Sequence, residues 1–212
     1  VERGGRDAIA IGLVALTSLV SIAGACAEIG GYALGWPGAP VELFALSFES
    51  NVPTWYASSL LVLSSAALVL CAERAPRDRG AWLALAAIFA FASLDEAIEI
   101  HEHLGALVDG RGVLYFSWVI PGAIIVGILA LGFARFLLRL PAIDRSRFVL
   151  AAVIFVSGAL GMELPLGWWT ERAGDDNLVY GMLDWVEETL ELAGTTTFLL
   201  ALRARLRRER EA

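Results

Sequence analysis

Ser93-Leu94-Asp95-Glu96-Ala97-Ile98-Glu99-Ile100-His101-Glu102-His103 is the stretch on which the reading of this chain turns. It follows a run from Ala81 to Leu94 that holds no charged residue. A run like that belongs in lipid or in a deep core. Within the next nine positions come four carboxylates and both histidines of the protein. Each charge placed at mid-bilayer costs roughly 2.5–3.5 kcal/mol on an insertion scale. Ionisable residues in a membrane helix therefore face a protein interior or a water-filled cavity, and they point to function.

The composition sets the class. The chain of 212 residues is 58% hydrophobic with mean hydropathy +0.67, above the apolar share of about 45–50% usual in soluble domains. That length holds several helices of about 20 residues with short connections, and no separate soluble domain. The expected architecture is all-α: one transmembrane domain over residues 1–212. Cys26 and Cys71 fall near opposite membrane faces in this reading, so they are not expected to pair. Arg3 and Arg6, the apolar run from Ala8 to Ile22 and then Ala23-Gly24-Ala25-Cys26 resemble a secretory signal. We read the segment as a retained first helix.

Six apolar segments are predicted, at 8–29, 54–72, 81–104, 115–138, 148–168 and 178–202, with connections marked by Gly, Pro or charge. The runs are too long for strands and lack their alternation. Every basic residue other than the two histidines is Arg, and fourteen of the sixteen Arg fall on one side of such a six-helix bundle. By the positive-inside rule both termini are expected on the cytoplasmic side of the membrane. Trp36, Trp55, Trp118, Trp168, Trp169 and Trp185 fall near outer helix ends, where aromatic anchors are expected. The Arg-rich tail reads as a topology signal and an anchor on anionic membrane lipids. Nucleic-acid binding is not expected.

The acids lie at the opposite end. At 1.5 Å per residue, Asp95 and Glu96 stand roughly 21–22 Å up the third segment, Glu163 roughly 22 Å up the fifth, and Glu187 and Glu188 roughly 22–24 Å up the sixth. Glu191 lies a few residues deeper. Three helices thus bring carboxylates to one layer. Asp184, Glu187, Glu188 and Glu191 fall within about 100° of helical arc. Asp95, Glu96, Glu99, Glu102 and His103 span about 120°, with His101 pointing away. Pro165 is expected to loosen the fifth helix beside Glu163, and Gly158 and Gly161 to allow a close helix approach below it. Glu28, Glu42 and Glu49 read as rim or loop charges, and Tyr180 and Ser93 as donors to the site residues.

Unpaired charges do not persist in a dry layer; they take up protons or bind cations. Carboxylates and imidazoles on facing helices are the makings of a di-iron or di-manganese centre, and zinc uses the same groups. No Glu-x-x-His occurs, and the sixth helix offers Glu188-x-x-Glu191 instead. There is no phosphate-binding Gly loop, Cys-x-x-Cys or nucleophile elbow.

Ser93-Leu94-Asp95-Glu96…Ile100-His101-Glu102, with Gly161-Met162-Glu163 and Glu187-Glu188…Leu190-Glu191, resembles a group of uncharacterised bacterial polytopic membrane proteins. The likeness runs from about Pro53 onward. It implies that Asp95, Glu96, His101 and Glu102 belong together, in tension with the angular reading of His101, and it implies no activity. A fainter likeness to the ceramidase-like superfamily of membrane hydrolases rests on Ser93, Asp95 and the histidines; the chain has no third His, and that activity is not carried over.

The expected site comprises Asp95, Glu96, His101, Glu102, Glu163, Glu187, Glu188 and Glu191 around a divalent metal ion, iron, manganese or zinc. The first functional reading is a metal-dependent enzyme acting on a lipid or another hydrophobic molecule near the periplasmic leaflet. The second is a non-catalytic subunit or scaffold with membrane-protein partners. The third, an ion or proton pathway, is disfavoured by the apolar inner halves of the third, fifth and sixth helices.

Overall fold

The computed structural model describes residues 2–100 and 110–211, with the side chains of residues 2–7 and 76 left aside. All regular structure among them is helical. In chain order these are α1 (Glu2–Leu34), α2 (Gly38–Phe44), α3 (Val52–Arg74), α4 (Arg79–Ile98), α5 (Val119–Arg139), α6 (Ala142–Val156), α7 (Glu163–Ala173) and α8 (Leu178–Glu211). A π-helical turn, Ser157–Met162, joins α6 to α7. Among the described residues five stretches are long and apolar enough to cross a membrane: Ala8–Leu34, Val52–Arg74, Arg79–Ile98, Val119–Arg139 and Ala142–Ala173.

The sixth predicted segment, within α8, does not meet that test, because Asp184, Glu187, Glu188 and Glu191 and the terminal Arg residues interrupt it. Its place in the fold explains why those charges are tolerated. α8 packs against α1, α3, α6 and the π turn, and no residue from Tyr180 to Glu209 is exposed. Its backbone approaches α6 at Gly194, where a Cβ would stand 2.7 Å from the Phe155 nitrogen. α8 is therefore the enclosed axis around which the apolar helices stand.

Those helices present their apolar residues outward. Ile124, Ile128, Leu131 and Leu138 on α5 are all exposed, Leu131 by 80%. A continuous apolar exterior of this kind suits lipid rather than water. Inward, hydroxyl pairs replace some apolar contacts. Thr17 on α1 bonds both Tyr56 of α3 and Thr196 of α8 at 2.8 Å. Ser21 bonds Thr189 at 2.7 Å, and Trp185 Nε1 donates to the Ser21 carbonyl at 2.8 Å. Ser58 and Ser93 bond at 2.8 Å between α3 and α4. Small polar residues of this type let membrane helices approach and hold register. They also make α1 an integral part of the bundle.

Arg74, Arg139, Arg205 and Arg208 gather at one end. Arg74 donates to the Leu206 carbonyl at 2.9 Å, and Arg139 pairs with Asp78 at 2.6 Å. Asp144, 2% exposed, accepts from Arg205 at 2.8 Å and also from Arg208. Arg205 lies over the Trp82 ring, 5.0 Å from its centroid. The α3–α4 turn, the α5–α6 turn and the end of α8 thus share one face. Trp82, Phe136, Phe148 and Phe198 form the aromatic core just beneath it.

Two expectations need correction. The third segment does not run as a helix from 81 to 104. α4 ends at Ile98, and Glu99 adopts a left-handed conformation, φ 56°, with its N–H bonded to the Asp95 carbonyl at 2.7 Å. Helical angles past Ile98 therefore do not apply. The connection 30–53 is not plain loop either; α2 folds back on α1 with Val41 buried against it.

Candidate functional site

At the end of the bundle away from the Arg residues lies a cavity of about 560 Å³. Six predicted site residues line it: Asp95 and Glu96 from the last turn of α4, Glu163 from the first turn of α7, and Glu187, Glu188 and Glu191 from α8. Glu49, Glu99 and Asp184 line it too. His101 and Glu102, the other two predicted site residues, and His103 lie outside the described residues. Among the described residues, those that line it include no Arg, Lys or His.

Each wall has a local cause. Pro165 has no N–H to give the carbonyl four residues back, and its ring crowds that carbonyl. The helix accommodates this by widening into the π turn just before it, a form of insertion frequent at functional sites. The widened turn leans on α8: a Cβ on Gly158 would stand 2.7 Å from the Glu187 carbonyl oxygen and 3.0 Å from Glu191 Cγ. Gly161 has no such neighbour, its nearest contact being 3.9 Å, so only Gly158 serves the close approach expected of both. Glu163 follows the turn, 7% exposed, and accepts from Trp118 Nε1 at 2.6 Å.

Glu49 is brought in by a cap. Asn51 Oδ1 accepts from the Thr54 N–H at 3.1 Å at the start of α3, and its amide donates to the Ala45 and Phe48 carbonyls at 2.7 Å each. This closes the loop 45–51, and Thr54 Oγ1 donates to Glu49 Oε2 at 3.3 Å. Asn177 caps α8 likewise, its Oδ1 accepting from the Tyr180 N–H at 3.1 Å and from Trp169 Nε1 at 2.9 Å. That fixes Tyr180, another lining residue, at the rim.

Sequence reasoning placed Glu49 on the rim and Trp118 in an interfacial belt; both line the cavity. For Glu49 a signal was present: Asn51 before Pro53 is a helix-start pattern that folds the preceding loop inward. For Trp118 no sequence signal distinguishes it from the belt residues. Glu28, also expected at the rim, is fully buried; Ser47 donates to its Oε1 through both N–H, at 3.1 Å, and Oγ–H, at 2.7 Å. It is not among the lining residues.

Glu187 lines the cavity from α8 and is almost fully buried. It is 7% exposed, and its Oε2 is buried with no hydrogen-bond partner among the described residues. A buried acceptor in that state costs free energy unless a donor or cation reaches it. The carboxylates are distributed round the cavity walls: no three His, Cys, Asp or Glu side chains among the described residues are disposed to hold a single metal ion. The arrangement can therefore attract and surround positive charge. It does not by itself form a complete tetrahedral or octahedral ligand set.

The chain belongs to the family described as Domain of unknown function (DUF8692), whose model matches residues 10–206. No curated protein and no solved structure matches it.

Proposed function

From the apolar helices and the acid-lined cavity, we propose a multi-pass protein of a bacterial inner membrane, spanning it six times with α8 as the sixth span. The Arg-rich end faces the cytoplasm and the cavity lies toward the periplasmic leaflet. We propose further that the cavity binds a divalent metal ion, with iron, manganese and zinc as candidates, and that the protein is an enzyme acting on a hydrophobic molecule.

One observation carries this reading: nine carboxylates from α4, α7, α8 and two connecting segments line one cavity, with no basic residue among the described lining residues. Such a set needs added positive charge to be stable in a low-dielectric layer. Glu96 and Glu188 are the proposed ligands, with His101 and Glu102, on the segment that follows α4, as the groups that would complete the set. A bound metal would supply Lewis acidity toward water or oxygen. Glu187, with its unpartnered oxygen, is the carboxylate left to accept a proton as general base. Trp118 holds Glu163 in place at 2.6 Å.

Elemental analysis of the purified protein tests the proposal. Stoichiometric iron, manganese or zinc is expected in the wild type and is lost in the combined Glu96→Gln, Glu188→Gln variant. Metal retained undiminished in that variant would refute the ligand assignment, and metal absent from both would refute the metal.

A further inference from the structure

The same cavity has a second character, seen in where it opens. α4 and α5 meet near the Arg end, where Trp82 and Phe136 pack edge to face with centroids 4.8 Å apart. The described parts of the two helices make little backbone contact along their length. Between them Phe91 of α4 and Ile125 of α5 both line the cavity, and they are exposed by 58% and 53%. Both belong to stretches apolar enough to cross a membrane. A ligand passing between these two residues would come from the hydrocarbon rather than from either aqueous side.

We propose that this gap is a lateral port through which a membrane amphiphile with a protonated amine head enters the cavity, the ammonium lodging among the carboxylates and the hydrocarbon chain lying between α4 and α5. The proposal rests on the reading of the cavity as a site for positive charge. The polarity selects the head: the described lining residues include nine carboxylates and no Arg, Lys or His, so a phosphate or carboxylate head would meet like charge from each of those nine. An ammonium brings three donors. One of them satisfies Glu187 Oε2, the buried acceptor that the described residues leave without a partner. The apolar side selects the tail: a bare ion has no use for Phe91, Ile125, Leu160 and Pro121 along its route. The volume, about 560 Å³, suits a small-molecule ligand, since such sites run to about 300–1,000 Å³. A head group with the first part of its chain fits that range.

Radiolabelled dodecylamine is the test ligand, with the protein in phosphatidylcholine nanodiscs and dodecanol as the uncharged control of equal chain length. Saturable dodecylamine binding is expected, with none for dodecanol. Glu187→Gln should weaken the amine by about ten-fold or more, a loss of one charge-assisted contact. Ile125→Trp, and separately Phe91→Trp, should weaken it similarly by filling the port, while leaving divalent-metal content unchanged. Both positions are exposed, so at least one bulky variant is expected to keep the helical spectrum. Equal binding of dodecanol, or amine binding indifferent to both port variants, overturns the proposal. Metal without amine binding overturns the port and leaves the cation cavity standing. Neither amine nor metal overturns both.

Discussion

Gly158 presses against Glu187 so closely that a Cβ on residue 158 would stand 2.7 Å from the Glu187 carbonyl oxygen. The π turn can shape the cavity wall only because that position has no side chain. Gly158→Ala should therefore push the turn off α8 and destabilise the protein by about 1–3 kcal/mol, the usual cost of overpacking. Gly161→Ala, whose Cβ would meet nothing nearer than 3.9 Å, should be tolerated. Thermal unfolding in detergent compares the two. Equal effects would show that the close approach is not what holds the turn.

Asp144 ties α6 to the end of α8 through Arg205 and Arg208. Asp144→Asn keeps the shape and removes the charge. It should lower stability by about 1.5–3 kcal/mol, the range for buried hydrogen bonds to charged groups. The Arg139–Asp78 pair is more open, with the Arg side chain 47% exposed, so Arg139→Ala should cost about 1 kcal/mol at most. Denaturant titration of both variants checks the ranking.

Glu99 ends α4 in a left-handed conformation at φ 56°. A non-glycine residue there costs about 1–2 kcal/mol. Glu99→Gly should relieve the backbone and retain the fold. Glu99→Val, β-branched and disfavoured at positive φ, should lose stability. If the two variants unfold at the same temperature, the turn is not strained.

Trp118 gives Glu163 a 2.6 Å hydrogen bond. Trp118→Phe preserves the ring and deletes the donor. It should cost about 1–3 kcal/mol by depriving a buried carboxylate of that bond. Trp55, 71% exposed, is an interfacial residue whose change to Phe should be nearly silent. Unfolding midpoints in the two variants distinguish a cavity tryptophan from a belt one.

Much of this architecture was legible in the residues. Long apolar runs leave little choice but helices, and the Arg-rich turns identified one end, where Arg74, Arg139 and Arg205 do meet partners from other helices. The common height of Glu96, Glu163 and Glu188 followed from helical rise alone, and all three line one cavity. What escaped depends on helix-end geometry and on individual side-chain bonds. Glu99 breaks its helix although nothing beside it is a Gly or Pro. Glu49 is turned inward by Asn51, a loop residue whose bonds reach back to Ala45 and Phe48. Trp118 differs from Trp55 in having Glu163 within reach, and periodicity says nothing about that.

Manganese titration of the protein in nanodiscs, followed by loss of the free-ion EPR signal, tests the shared cavity most directly. If carboxylates of α4, α7 and α8 surround one cation, the wild type shows a single class of sites. Its affinity should then fall by about ten-fold or more, roughly 1.4 kcal/mol, in each of Glu96→Gln, Glu163→Gln and Glu188→Gln. Manganese binding undisturbed by all three substitutions, or no binding to the wild type, would contradict the account.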